Sequence, residues 1–362
     1  MPKTALRGAV TARYAQRSLA RIVAAASLAS DESGLDMISS VPFQLPVPDL
    51  ADWRAGNTGV PGVWSFDAGR AGRHVLITAL VHGNELCGAW ALKRLLEAGL
   101  RPERGKLTLA FCNLAAFDRF DAADHDASRF VDEDLNRQWS SERLASPLTR
   151  ERQRAVALMP FVDAADWLLD LHSMHEPGAP LSLTGPAWPN LELALAMKTP
   201  QHVIVDPGHS DGVRLRDYAQ FAPERVRTSG ARSLLIECGF HGDPRSRDVA
   251  QDQCVRFLEL AGVLDAGSHA IADWRLPDAT TQTILEVTAA VVTGGDDFHF
   301  VAPYTGLEVI AKRGTVIGHD GGTEVTTPYD DCVLVMPSTR QARAGVTVVR
   351  FARRVATPRR HI

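Results

Sequence analysis

The sequence predicts an α/β domain whose sheet is buried on both faces, followed by a smaller all-β domain. Three observations carry this. Short apolar runs alternate with helical stretches between about residues 73 and 264. Beyond about residue 275 the helical periodicity stops, and β-rich pieces separated by Gly, Pro and Asp take over. The chain of 362 residues is also long enough for one large domain plus a smaller one.

The elements follow in order. Residues 1–45 read as an N-terminal helical arm or extension; the first thirty residues hold five basic residues and no acid. That composition also fits an organellar transit peptide, although "IVAAASLA" is short and weakly apolar for a secretory signal. "SVPFQLPVPDLADW" (40–53) is a proline-punctuated, extended entry. Strands are predicted at "HVLITALV" (74–81), "KLTLAFCNL" (106–114), "DWLLDLH" (166–172), "HVIVD" (202–206) and "SLLIECGF" (233–240). Their near-continuous apolar character is that of strands covered on both faces. Helices are predicted within 86–100, 146–162 and 247–264. The catalytic α/β domain is assigned to 46–270 and the β domain to 271–362, where "TILEVTAAVVT", "FVAPYTGLEVI", "TVIG", "CVLVMPS" and "VTVVRFA" are the strand candidates.

Charge and composition exclude some functions. The net charge is −4, but the acid-free ends at 1–30 and 340–362 leave 27 basic against 43 acidic residues between them. Such an acidic body does not suit a nucleic-acid partner. No stretch approaches the ~20 apolar residues of a membrane span. Five cysteines at scattered spacings, with no C-x-x-C, indicate buried thiols in a reducing cytoplasm rather than a disulfide framework or zinc knuckle.

The chemistry concentrates where strands end. "ITALVHGNELCGAW" (77–90) breaks off an apolar run at His82 and Glu85. Three residues apart in a tight turn or first helical turn, the two side chains point to one side and can share an ion. Alone, the pair is equally an ordinary polar turn. "LLDLHSMHEPG" ends another strand at His172, 87 residues beyond Glu85. Two imidazoles and one carboxylate with an open fourth position form an arrangement known for catalytic zinc. Asp170 alternates with His172 and reads either as an orienting partner or as a strand-end cap.

"SLLIECGFHGD" places Glu237 behind a buried run, where a carboxylate is costly unless paired or used. Beside zinc it reads as the general base; otherwise it is a structural ion-pair partner. "SRFVDEDLNRQW" (128–139) offers Arg129 toward a developing oxyanion, and Asn136 with Arg137 toward a planar carboxylate. Its bland reading is a helix start with an exposed arginine. His175 and His241 read as surface-loop histidines near the motifs, although His241 alternates with Glu237 if the strand continues, which leaves a substrate-binding or orienting role open to it.

Together, H82-G-N-E85, R129-F-V-D-E-D-L-N136-R137, D-L-H172 and I-E237-C-G resemble the succinylglutamate desuccinylase and aspartoacylase family of the zinc-carboxypeptidase-like superfamily. The motifs span about residues 74–242. The resemblance implies a mixed central sheet flanked by helices, with the smaller all-β domain behind it. It also implies one Zn2+ per chain on His82, Glu85 and His172, with Glu237 activating water and Arg129 polarising the scissile carbonyl. Asn136 and Arg137 would hold the α-carboxylate of a small-molecule N-acyl amino acid, which is hydrolysed at its amide bond.

Members acting on acidic acyl groups use a further arginine upstream of the base. Among Arg214, Arg216, Arg225 and Arg227, spacing favours Arg227; a tyrosine from the second domain would be Tyr304. The competing readings are a zinc carboxypeptidase acting on peptides, and a non-catalytic zinc-retaining binding protein. A homo-oligomer is compatible with either.

Overall fold

A computed structural model describes residues 41–209, 211–267, 269–340 and 342–356. Residues 1–40 of the expected arm lie outside the described residues.

Among the described residues, fourteen strands form two sheets. They are β1 (Val63–Asp67), β2 (His74–Ala79), β3 (Lys106–Phe111), β4 (Trp167–Met174), β5 (Leu181–Leu183), β6 (His202–Val205) and β7 (Arg232–Phe240). After these come β8 (Thr283–Val292), β9 (His299–Phe300), β10 (Val309–Ile310), β11 (Val316–Asp320), β12 (Thr323–Thr326), β13 (Cys332–Val335) and β14 (Thr347–Val355). The large sheet runs β1-β3-β2-β4-β7-β5-β6-β8-β14-β13-β10, and the small one β12-β11-β9.

The middle of the large sheet, β3-β2-β4-β7, is parallel. β1 and β5 join it antiparallel, so the sheet is mixed. β8 then pairs parallel with β6, carrying the antiparallel strands β14 and β13 onto the same sheet. The candidate strand "FVAPYTGLEVI" forms only the short β9 and β10, because Pro303 and Gly306 interrupt it. β1, β5 and the helix Trp188–Ala196 were not singled out in the sequence; β5 is three residues long, and the polar or exposed positions of β1 blur its pattern.

The parallel strands sort their side chains with period two. Val75, Ile77 and Ala79 of β2, and Leu169 and Leu171 of β4, face a core shared with the helices Leu86–Glu97 and Pro244–Ala261. The first of these helices offers Leu86, Ala89, Leu92 and Leu96, an apolar stripe at helical spacing. The second is held by Asp243 at its N-cap, Pro244 in its first turn and Gly262 in the left-handed conformation at its end. On the opposite face, Leu76 and Leu168 pack with Ala155, Leu158 and Val162 of the helix Arg150–Ala164. Asp170 and His172 share that second face of β4, beyond Leu168. The apolar layer thus gives way to polar chemistry at the carboxyl ends of the strands, as open α/β sheets generally arrange it.

Candidate active site at the carboxyl ends of the parallel strands

The strand β2 does not run straight into a helix. Leu80, at φ 55°, turns the chain out of the strand, and Glu85 stands at the N-cap position of Leu86–Glu97 with its side chain free of any capping hydrogen bond. Gly83 lies between His82 and Glu85. A Cβ there would sit 2.4 Å from both the Ala116 carbonyl carbon and the Ser128 oxygen. Its N–H donates to the Arg129 carbonyl at 3.0 Å. Only a glycine allows this approach, which binds the His82 turn to the Arg129 loop.

His172 on β4 stands in register with Glu237 on β7, so their side chains emerge on one face. His82, Glu85 and His172 bring one donor atom each within 4.8 Å of the others, and all three are buried. The two oxygens of Glu85 divide between the rings: Oε1 lies 2.7 Å from His82 Nδ1, and Oε2 lies 2.7 Å from His172 Nδ1. The far nitrogens face two other carboxylates. His82 Nε2 is 3.0 Å from Asp134, and His172 Nε2 is 2.9 Å from Asp170. Thr78 donates to Asp170 Oδ1 at 2.6 Å and fixes it.

These donors fit a divalent cation. The set is two imidazoles and one carboxylate, buried, with each imidazole backed by an acid that sets its tautomer and orientation. Glu85 Oε2, Asp170 Oδ2 and Glu237 Oε2 have no aligned hydrogen-bond partner among the described residues. Acceptor capacity of this kind is what a cation satisfies.

The electrostatics agree. Burial alone would raise Glu85, yet His82 and His172 hold its carboxyl well below the ordinary range. Burial alone would lower His172, but Asp170 and Glu85 hold it well above the ordinary imidazole value, so positive charge is favoured at this point. Glu237 behaves oppositely. Burial, then the Glu85 charge, pushes it up to about 8, against the pull of His172 and Arg129. Two neighbouring acids driven apart in this way mark different roles.

Asp134 joins the parts. One oxygen accepts from His82 and from the Asn136 N–H at 2.7 Å; the other accepts from Arg129 Nη2 at 3.0 Å. Arg129 Nη1 lies 3.4 Å from Glu85. Asn136 is buried, and its Oδ1 accepts from the Leu215 N–H at 2.9 Å, which leaves its amide nitrogen as the donor available for a ligand. Arg137 pairs with Asp211 at 3.1 Å. The loop carrying these residues is held by Glu151, a buried acid that accepts from the N–H groups of Val131, Asp132 and Glu133 and from Asn113.

A cavity of about 180 Å³ opens over these groups, lined by His82, Glu85, Arg129, Asn136, Arg137, His172 and Glu237. The residues after 271 supply part of its wall through Met336, Ser338, Arg343, Thr347 and Arg350.

Two sequence candidates do not line this cavity. Arg227 is exposed, just past the helix Pro223–Val226. Of that arginine-rich stretch it is Arg214 that faces the cavity, paired with Asp206 at 3.0 Å and Asp217 at 2.7 Å. Tyr304 packs its ring on Phe300 instead, 5.8 Å between centroids. Spacing along a loop does not encode which side chain turns inward. His241, read as a surface histidine, is fully buried, with Nδ1 2.8 Å from Ser173 Oγ. The β7 strand carries it inward to lie against Met174. With Asp126 and His175 it forms a second close trio, in which Asp126 already faces His125 and Arg340.

Asp134, Glu151, Arg350 and His209 were missed. Asp134 sits inside the quoted "VDEDLNR", but three acids in four residues give no sign of which one turns toward a histidine. Glu151 looks like any first-turn helix acid.

The chain is similar to known proteins. Residues 71–222 match the family model described as the succinylglutamate desuccinylase/aspartoacylase catalytic domain. The chain is 26% identical over 300 residues to a succinylglutamate desuccinylase of Burkholderia orbicola (strain AU 1054), covering 76% of this chain and 80% of that one. It is 27% identical over 301 residues to the protein of that name in Burkholderia cenocepacia, covering 76% and 81%. Among solved structures, the succinylglutamate desuccinylase of Vibrio cholerae aligns with TM-score 0.60 at 18% identity, over 83% of this chain and 88% of that one. A succinylglutamate desuccinylase/aspartoacylase of Rhodobacter sphaeroides aligns with TM-score 0.56 at 19% identity, over 80% and 87%. At these identities the structural likeness establishes the shared fold.

Proposed function

We propose that this chain is a zinc-dependent hydrolase of the succinylglutamate desuccinylase/aspartoacylase type, cleaving the amide bond of a small N-acyl amino acid. The convergence of His82, Glu85 and His172 beside the buried Glu237 carries the reading. One zinc ion per chain would be held by those three residues. Bound there, zinc supplies Lewis acidity, polarising a carbonyl and lowering the pKa of water to about 7.

The chain's own groups do the rest. Glu237 takes a proton from the attacking water and returns it to the leaving amine nitrogen. Its raised pKa suits both directions of transfer near neutral pH. Arg129, held by Asp134, donates to the carbonyl oxygen as negative charge builds there. Asn136 and Arg137 hold the carboxylate of the amino acid and so fix which amide meets the water. The wall supplied by residues after 271 narrows the cavity and so favours a compact substrate over a peptide chain. Asp134 and Asp170 orient the ligand imidazoles.

The five cysteines are unpaired and buried, which supports a cytoplasmic setting. Among the described residues no helix is long and apolar enough to cross a membrane.

The test uses zinc-quantified protein and a panel of N-acetyl, N-formyl and N-succinyl amino acids, with N-succinylglutamate included because the relatives bear its name. Release of free amino acid from one of these, faster than from dipeptides with a free carboxyl end, is the expected result. Faster cleavage of the dipeptides would replace this reading with a carboxypeptidase.

A further inference from the structure

In the cavity, two arginines crowd one uncharged side chain of the protein itself. Arg137 from the loop after Asp134 and Arg350 from β14 approach the same ring, His209, from different parts of the chain. Arg137 Nη2 lies 3.2 Å from Nδ1 and 3.1 Å from Nε2 of that ring. Arg350 Nη2 lies 3.3 and 2.8 Å from the same two atoms. A guanidinium nitrogen so nearly equidistant from both ring nitrogens is beside the ring or over it, not on a lone pair. A neutral imidazole moreover has one acceptor nitrogen, so it cannot satisfy two arginines.

Charge is short in the same direction. Arg137, Arg214, Arg216 and Arg350 share three carboxylates. Asp211 pairs with Arg137, Asp217 with Arg214 and Arg216, and Asp206 with Arg214 and Arg350. Arg350 is buried, and its Nε, though 3.3 Å from Asp206, makes no aligned hydrogen bond. Burial, then the charges of Arg137 and Arg350, keep His209 neutral. The ring therefore adds no negative charge where one is wanted. A carboxylate, with two oxygens in one plane, would satisfy both forks at once.

We propose that Arg137 and Arg350 form a two-armed carboxylate subsite, that His209 occupies it as a placeholder, and that the substrate carboxylate binds by displacing that ring. The carboxylate of the N-acyl amino acid is then gripped by Arg350 of β14 as well as by Arg137. Arg350 is a specificity-determining residue of the C-terminal strands. The inference rests on the amidohydrolase reading of the cavity for the identity of the ligand, but not for the anion chemistry.

The experiment measures binding rather than turnover. The host is full-length, zinc-loaded Glu237→Gln protein, in which substrate is retained. The probes are a panel of N-acetyl amino acids, each titrated calorimetrically against its own C-terminal carboxamide. Carboxylates are expected to bind about tenfold or more tightly than their amides. Arg350→Gln should erase most of that preference while leaving amide binding unchanged, and Arg350→Lys should restore only part of it, since an ammonium keeps the charge but not the fork. His209→Ala should tighten carboxylate binding several-fold without affecting the amides.

The proposal is overturned if carboxylates show no preference, if Arg350→Gln weakens both probe types equally, or if His209→Ala leaves carboxylate binding unchanged or weaker. His209→Ala keeps the test decisive should Arg350→Gln not fold. Hydrolysis by the parent protein is measured separately. Its absence, with carboxylate preference intact, sinks the hydrolase and leaves the subsite; hydrolysis with a preference indifferent to Arg350 does the reverse.

Discussion

The two ends of the parallel strands are built from similar residues and behave differently. At the amino ends, His74 places Nδ1 2.9 Å from the Ala164 carbonyl and Nε2 2.8 Å from Thr108, while Asp166 accepts from the His74 N–H at 2.7 Å. Arg73 donates to the Ala261 carbonyl at 2.7 Å and lies over the Trp167 ring. The groups left there without hydrogen-bond partners include Trp167 Nε1 and Arg104 Nε, both donors. At the carboxyl ends the unaligned groups include carboxylate oxygens of Glu85, Asp170 and Glu237, all acceptors. The amino-end cavity is the larger, about 820 Å³ against about 180 Å³. Size therefore does not identify the functional end. What marks the carboxyl end is three unaligned carboxylate oxygens crowded around two imidazoles, a demand that a cation meets, while the one unaligned arginine donor lining that cavity, Arg350 Nε, lies in the wall from β14.

The contrast can be broken most sharply at His172. His172→Ala should lose bound zinc and essentially all hydrolysis, whereas His74→Gln at the amino end of the neighbouring strand should keep both. Metal content per chain and rate on the same samples decide it; equal zinc in His172→Ala and parent protein would remove His172 from the ligand set. Next in size, Glu237→Gln should keep its zinc and lose about 10²–10⁴-fold in kcat, because only proton transfer is removed. Loss of metal along with rate would make Glu237 a ligand rather than a base.

The third variant acts through the backbone. Glu151→Gln keeps the shape but replaces an acid that accepts from three consecutive N–H groups. About 1–3 kcal/mol of stability should be lost, read as a drop in Tm. kcat should also fall, because the loop bearing Arg129 and Asn136 loosens. An unchanged Tm would mean that the loop is held by other contacts.

The smallest effect concerns pH and the amino end alone. Burial lowers the His74 pKa, so the unfolded chain binds the proton more readily. Stability contributed by the neutral ring is then present above the unfolded value of about 6.5 and declines as pH falls below it. His74→Gln should flatten that decline in a pH series of denaturation midpoints without shifting the pH–rate profile. A shifted rate profile would tie the amino end to the chemistry and erase the distinction between the two ends.

What the sequence determined by itself was whatever local pattern encodes. Apolar runs of four to eight residues located β2, β3, β4, β6 and β7, and an acid or histidine closing such a run marked Glu85, His172 and Glu237. His172 and Glu237 must face a common space once β4 and β7 align, since alternation and register leave them no other face, and Glu85 reaches it from the turn after β2. Tertiary structure decided what depends on partners far along the chain. β8 pairs with β6, so β14 joins the large sheet and Arg350 reaches the cavity. Which acid of "VDED" meets His82 depends on a turn capped by Asp134 itself, and which arginine of the 214–227 stretch turns inward depends on Asp206 and Asp217. Periodicity reports which face of an element is buried. It carries no record of which loop side chain finds a charge of opposite sign, because that energy arises only when separate segments meet.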